Sequence, residues 1–160
     1  MQRLAFFHAA AAGMKIKSDN IDALRDALNR YAETSLTEAH LQPELRIDAR
    51  VSPRTMTLKL VDELSMLEPF GAGNPKPIFI TNGLFIREEP LVMKEKHLKF
   101  WLDDGDGHRF EAVWWDGVDR SFGRTLVAGS RIELAYTAEV NVWQSNKRLQ
   151  LVVEDLRADN

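Results

Sequence analysis

From Leu98 to Trp114 the chain reads LKFWLDDGDGHRFEAVW, with apolar residues on every second position either side of a run of aspartates and glycines. A repeat of two is the repeat of a strand with one buried face; a helix would scatter the same residues around its axis. The pattern predicts two strands joined by a tight turn, with Leu98, Phe100, Leu102, Phe110, Ala112 and Trp114 on the core side. Ile132, Leu134, Tyr136 and Ala138 continue the theme, followed after the turn in WQSNKR by Leu149, Leu151 and Val153. IFITNGLFIREEPLVM supplies another strand, or a hairpin around Asn82-Gly83. About five short strands with no long helix between them predict a small barrel or sandwich.

The first half has a different grain. Ile21, Leu24, Leu28 and Tyr31 are spaced three, four and three apart, one face of an amphipathic helix, with Ser18 to Asn20 as capping candidates. ELRIDARV alternates Leu45, Ile47, Ala49 and Val51 with charged residues and predicts a half-buried strand. In SPRTMTLKLVDELSML, Ser52 suits an N-cap and Pro53 the first helical position, and Leu60, Val61, Leu64 and Leu67 form the apolar stripe. Pro69 ends that helix. The fold class is therefore α+β, a small five-stranded barrel preceded by a helix-strand-helix segment.

The halves meet at LEPFGAGNPKPIF, Leu67 to Phe79. A dinucleotide loop needs Gly-x-Gly-x-x-Gly between a strand and a helix. Here the glycines follow a helix, Lys76 stands where the third glycine belongs, and Pro75 and Pro77 bar helix entry. A Walker loop lacks its Gly-Lys-Ser/Thr ending, so the stretch reads as a joint.

Composition removes further classes. At 160 residues, 44% of them hydrophobic, the chain can form one domain or two small ones with real cores. The absence of cysteine excludes disulfides and thiolate metal sites and suits a reducing compartment. No apolar run approaches the roughly 18–20 residues that span a bilayer. MQRLAFFHAAAAGM mimics a secretory signal, but His8 breaks its apolar run well short of the usual ~7–15 residues. The expected location is cytoplasmic. Net charge is −3, spread evenly along the chain, so any nucleic-acid surface must be a local patch. His8, His40, His97 and His108 are scattered without metal-ligand spacing. DDGDG opens like a calcium loop, but the twelfth position from Asp104 is Trp115 rather than an acid. No nucleophile motif is present.

What remains is the outer surface of the barrel. Alternation turns Lys99 and Trp101 away from the core row, and Lys96 leads into the same strand. Arg109 and Trp115 come from the next strand, and Trp143, Lys147 and Arg148 surround a hairpin tip. Aromatic rings for bases to stack on, interleaved with cations to follow phosphates, are what a single strand needs.

In order along the chain, HAAAAGM, LEPFGAGNPKPIF, KHLKFWLDDGDGHRFEAVWW and VNVWQSNKRLQLVVEDLR resemble the C-terminal region of bacterial RecJ, a family of single-strand-specific exonucleases acting from the 5′ end in recombination and repair. The resemblance implies that residues 1–40 are a partial DHHA1-like tail, 41–77 a joining strand, helix and Pro/Gly joint, and 78–160 an OB-fold that guides single-stranded DNA. Two departures stand out. The family's loop reads Gly-Gly-His-x-x-Ala-Ala-Gly, whereas this chain has Phe6 and Phe7 in place of the glycines. Bulky side chains there block close backbone approach, which leaves His8 and Gly13 as the remnant of a substrate-side loop. The Asp-His-His motif and metal-binding aspartates are also missing, so the expectation is a fragment that does not hydrolyse DNA by itself. The manganese or magnesium of the family belongs to the missing catalytic domain, and this chain is expected to hold no cofactor. Single-stranded DNA is the expected partner. The alternative is docking on a separately encoded nuclease domain or another DNA-repair protein. Leu4, Phe6 and Phe7 are expected to mediate self-association, and no membrane is involved.

Overall fold

The computed structural model describes residues 5–8, 11–121 and 126–159, with side chains from Gly13 onward except that of Trp143. The chain divides into two compact units, Met1–Leu45 and Arg46–Asn160. Among the described residues no helix is long and apolar enough to cross a membrane.

In the first unit β1 (Ala5–His8) and β2 (Ala11–Met14) form an antiparallel hairpin in which Phe6 pairs with Gly13 and His8 with Ala11. The side chains of Phe6, Phe7 and His8, and Leu4 altogether, lie outside the described residues. A 3-10 turn at Ser18–Asn20 leads into α1 (Ile21–Ser35), where the expected Asn20 cap makes no side-chain hydrogen bond. Ile21, Leu28 and Tyr31 fall on one face, as their spacing predicts, but stay exposed; α1 buries none of its residues. A short helix α2 (Glu38–Leu41) follows.

The second unit is the barrel with the segment leading into it. β3 (Ala49–Arg50) pairs parallel with β4 (Phe79–Ile86). The expected strand over Leu45–Val51 is thus reduced to two residues, and Leu45 and Ala49 are exposed. The register continues through single bonds on either side, Asp48 N to Ile78 O and Val51 N to Ile80 O, both 2.9 Å. The expected helix from Pro53 to Leu67 is broken into a 3-10 turn at Pro53–Thr55, α3 (Leu58–Leu64) and a 3-10 turn at Ser65–Leu67. Thr57, not Ser52, caps α3, its Oγ1 accepting from Leu60 N at 3.2 Å. Val61 and Met56 are buried against the barrel core, while Leu67 is exposed.

The remaining elements are β5 (Leu91–Met93), β6 (His97–Asp103), β7 (Arg109–Trp114), α4 (Gly117–Arg120), β8 (Arg131–Trp143) and β9 (Asn146–Ala158). Sheet order is β3-β4-β8-β9-β7-β6-β5, and the pairing of β4 with β6 (Phe85 with Asp103, Ile86 with Leu102) closes the ring. Of the pairs within the ring, β7–β9 is parallel and the others are antiparallel. This is a five-stranded closed barrel of the expected OB kind. β8 and β9 run 13 residues each, longer than the short strands expected.

The core follows the two-residue repeat. Leu98, Phe100 and Leu102 of β6 stand opposite Trp114, Ala112 and Phe110 of β7, and all six are buried. Leu134, Tyr136, Leu151 and Val153 complete the interior. Each buried leucine-sized side chain contributes about 1.5–3 kcal/mol, so this row accounts for much of the barrel's stability. Asn82-Gly83 is not a hairpin but an irregularity within the single strand β4, where the register against β8 shifts between Thr81 and Leu84. Gly83 takes φ +74° there, and its N–H is held by Asp159 Oδ2 at 2.8 Å. At the joint, Gly71 and Asn74 exchange backbone hydrogen bonds of 2.8 and 3.0 Å. Asn74 Nδ2 also donates to Leu67 O at 2.7 Å and Pro69 O at 3.1 Å, tying the end of the helical segment to the turn.

Candidate nucleic-acid interface

The pairing that buries one row of β6 and β7 turns Lys99, Trp101, Asp103 and Arg109 to the other side of the sheet, where their row-mates Glu111 and Val113 are themselves buried. Lys99 stands opposite Val113, Trp101 opposite Glu111, and Asp103 opposite Arg109. The parallel partner β9 adds Gln150 beside Glu111, and Arg148 lies two positions earlier in the same phase. Arg148 in turn faces Asn141 of β8. The barrel therefore brings Lys99, Trp101, Arg109 and Arg148 to one face.

The remaining candidates are placed less uniformly. Trp115 follows β7 and is 49% exposed; its ring meets His97 edge to face at 4.9 Å. His97 Nδ1 accepts the N–H of Asp116 at 2.9 Å, which fixes the turn carrying Trp115. Lys96 is exposed in the turn between β5 and β6. Lys147 pairs with Val142, one residue out of phase with Arg148, so it belongs to the opposite row. The backbone of Trp143 pairs with Asn146, and its side chain lies outside the described residues. Trp114 is core, as its phase requires. Gly13 belongs to the N-terminal unit.

Lys99 has an internal partner. Its Nζ lies 3.1 Å from Oε1 of Glu111, whose side chain is only 6% exposed. Gln150 Nε2 donates to the same oxygen at 2.6 Å. Lys99 is thus neutralised within the protein instead of standing free for a phosphate. Arg109 and Arg148 on this face, Lys96 in the turn beside it and Lys147 in the opposite row have no ion pair among the described residues. Glu111, Gln150 and His97 escape a reading by composition because their partners lie on other strands. The hairpin register gave the available signal, since counting outward from the DDGDG turn brings Glu111 within reach of Lys99.

Lys99, Glu111, Asn141, Gln144, Asn146 and Arg148 line a groove of about 330 Å³ at this face. A second groove, between α3 and the start of the joint, is lined in part by Leu64, Phe70, Phe79 and Val140 and is bridged by the Lys76–Glu139 ion pair.

The DDGDG turn is built by hydrogen bonds. Asp104 Oδ1 accepts from Asp106 N at 2.9 Å and His108 N at 3.1 Å, and Oδ2 meets the His108 ring at 2.9 Å. Burial pushes the Asp104 carboxyl up, but those N–H groups and the His108 ring outweigh it and hold it below the usual range. Arg54 closes the turn from outside through Asp106. Among the described residues no three His, Asp or Glu side chains are placed to hold a metal ion.

A profile of the RecJ OB domain matches residues 47–155. The single-stranded-DNA-specific exonuclease RecJ of Bacillus subtilis (strain 168) is 29% identical over 149 residues, spanning 92% of this chain and 19% of its own. Its counterpart from Escherichia coli (strain K12) is 26% identical over 158 residues, spanning 93% of this chain and 25% of its own. The crystal structure of RecJ in complex with Mn2+ from Thermus thermophilus superposes with a TM-score of 0.65 at 22% identity, over 93% of this chain and 21% of that one. That likeness bears on the fold. The chain spans about a fifth to a quarter of the length of the curated relatives it matches.

Proposed function

The chain belongs to the RecJ OB domain family, and we propose that it is the accessory single-stranded-DNA-binding part of a RecJ-like, single-strand-specific 5′-to-3′ exonuclease of recombination and repair, acting in the cytoplasm. Hydrolysis is assigned to a manganese- or magnesium-dependent catalytic domain of such an enzyme and not to this chain's own residues. The observation that carries the reading is the outward row of β6, β7 and β9. Half-buried Trp101 of β6 offers a ring diagonally beside Arg109 of β7, with Arg148 of β9 on the far side of Arg109, two arginines without ion pairs among the described residues. OB-folds use this same face, on their second and third strands, for oligonucleotides. A base stacked on such a ring contributes roughly 1–3 kcal/mol, and each phosphate neutralised adds a salt-sensitive increment.

The direct test is fluorescence anisotropy of a labelled oligo-dT of about 20 nucleotides, longer than the roughly 4–16 that one OB-fold covers. The 160-residue chain is titrated at low and moderate salt, beside Arg148→Glu and a duplex control. Preference for the single strand, weakening with salt and loss in Arg148→Glu are expected. No binding at low salt overturns the reading. It would favour the second one, docking on a separate nuclease domain or another repair protein, for which the exposed apolar stripe Ile21, Leu28 and Tyr31 of α1 speaks.

A further inference from the structure

A buried carboxylate in the middle of a phosphate-attracting face is out of place if that face only follows a nucleic-acid backbone. Glu111 sits there with its side chain 6% exposed. The Lys99 ammonium at 3.1 Å, an ion pair, and the Gln150 amide at 2.6 Å, a hydrogen bond, converge on Oε1. No hydrogen bond to Oε2 occurs among the described residues, that atom is not sealed from solvent, and Glu111 is one of the residues that line the groove. The other walls carry three carboxamides, Asn141, Gln144 and Asn146, and the guanidinium of Arg148. Carboxylate and carboxamide groups are the side chains that read the hydrogen-bonding edges of bases, and unstacked single strands present those edges freely.

We infer that this groove is a base-reading subsite that prefers bases bearing an exocyclic amine, with Glu111 as its specificity-determining residue. The inference rests on the nucleic-acid reading above. A phosphate placed at Glu111 would meet a negative charge; an amino N–H placed there meets an acceptor. The strand therefore lies with bases turned into the groove and phosphates outward, towards Arg148 and Arg109. Cytosine fits this arrangement. Its N4–H donates to Oε2, and its N3 and O2 accept from the Lys99 ammonium beside it. Thymine sets the O4 carbonyl against Oε2, two acceptors facing each other with no proton between them.

The test compares oligo-dC with oligo-dT of equal length by competition anisotropy at mildly alkaline pH, using the whole chain. The two are both pyrimidines, so stacking differs little and the base edge decides. Oligo-dC is expected to bind about fivefold tighter, on the order of one mismatched base contact. Glu111→Gln should bring the ratio close to one while tightening oligo-dT, because Lys99 loses its ion-pair partner and becomes free to meet a phosphate. A merely structural role for Glu111 would leave the ratio unchanged. An oligonucleotide carrying N4,N4-dimethylcytosine, which has no N4–H, should bind like oligo-dT to the parent chain; this arm needs no protein variant. Equal binding of oligo-dC and oligo-dT overturns the inference and leaves the single-strand reading standing. A preference for oligo-dC that survives in Glu111→Gln, or for the dimethylated base, overturns it as well. Binding of neither oligonucleotide at low salt removes both readings together.

Discussion

Gly117 opens α4 directly behind Trp114, and alanine there should destabilise the barrel. A Cβ at this position stands 2.9 Å from Cβ and 3.0 Å from Cγ of Trp114, and 3.1 Å from Cγ of Leu98. None of these atoms is the free end of a flexible side chain. Trp114 and Leu98 face each other across β6 and β7 and are both buried, so neither can yield without moving the sheet. Overpacking of this kind costs about 1–3 kcal/mol. Alanine's helical advantage over glycine, at most about 1 kcal/mol, offsets part of it, giving a net loss of roughly 1–2 kcal/mol. With a urea dependence of about 1–2 kcal/mol per molar, the unfolding midpoint should fall by roughly 1 M. All 4 tryptophans lie in the barrel unit, so their fluorescence reports that unit's unfolding. The control is Gly71→Ala in the joint, where a Cβ meets nothing within 4 Å and the backbone is not left-handed. There the same substitution should be neutral or stabilising, by up to about 1 kcal/mol. A Gly117→Ala midpoint equal to the parent's, or an equal fall in Gly71→Ala, refutes the packing account.

Three further outcomes are expected. The Glu133 carboxylate is held below its usual range, first by the Arg50 guanidinium at 2.7 Å, against the opposing effect of burial, and then by Arg157. Its folded pKa lies below the unfolded value, so its contribution is complete above the ordinary carboxylate range and is lost as pH falls through the folded value. Thermal melts at pH 7 and pH 3 should show Glu133→Gln less stable at neutrality and nearly level with the parent in acid. Thr81 Oγ1 lies 3.0 Å from both Val51 O and the hydroxyl of buried Tyr136. Thr81→Val should cost about 1–3 kcal/mol in urea unfolding, and adding Tyr136→Phe should recover part of that loss by removing the stranded hydroxyl. Trp101→Ala should weaken oligo-dT binding in the anisotropy assay by about 1–3 kcal/mol.

The barrel was legible in the sequence where one wall of a strand meets the core. In β6 and β7 the alternation of Leu98, Phe100 and Leu102 with Lys99 and Trp101 fixes which side faces inward, because a slip of one residue would expose the whole row. Boundaries set by local turn chemistry were less legible. Asn82-Gly83 has the composition of a hairpin, but the left-handed backbone of Gly83 serves a strand irregularity equally well. The hairpin that does follow turns at Lys94 and Glu95, with φ of 48° and 60°, and neither residue announces it. Ser52-Pro53 looked like a helix start, yet Thr57 offers the same hydroxyl next to the residues that reach the core. At the interface the aromatic and basic residues could be placed from phase alone. That Lys99 is neutralised needs the hairpin register as well as the phase, because Glu111 belongs to the next strand and the pairing depends on the length of the intervening turn. Likewise the glycines of the joint drew notice by composition but stand in open space, whereas Gly117 sits in the tightest contact.

The surface itself can be mapped by titrating the isotopically labelled chain with oligo-dT and following its backbone amide resonances. The largest shifts are expected over residues 97–101, 109–115 and 141–150, with those of α1 and of the groove beside α3 nearly still. Shifts concentrated on α1 or beside α3, or none with oligonucleotide in excess at low salt, would contradict a single-strand site on the outer face of the barrel.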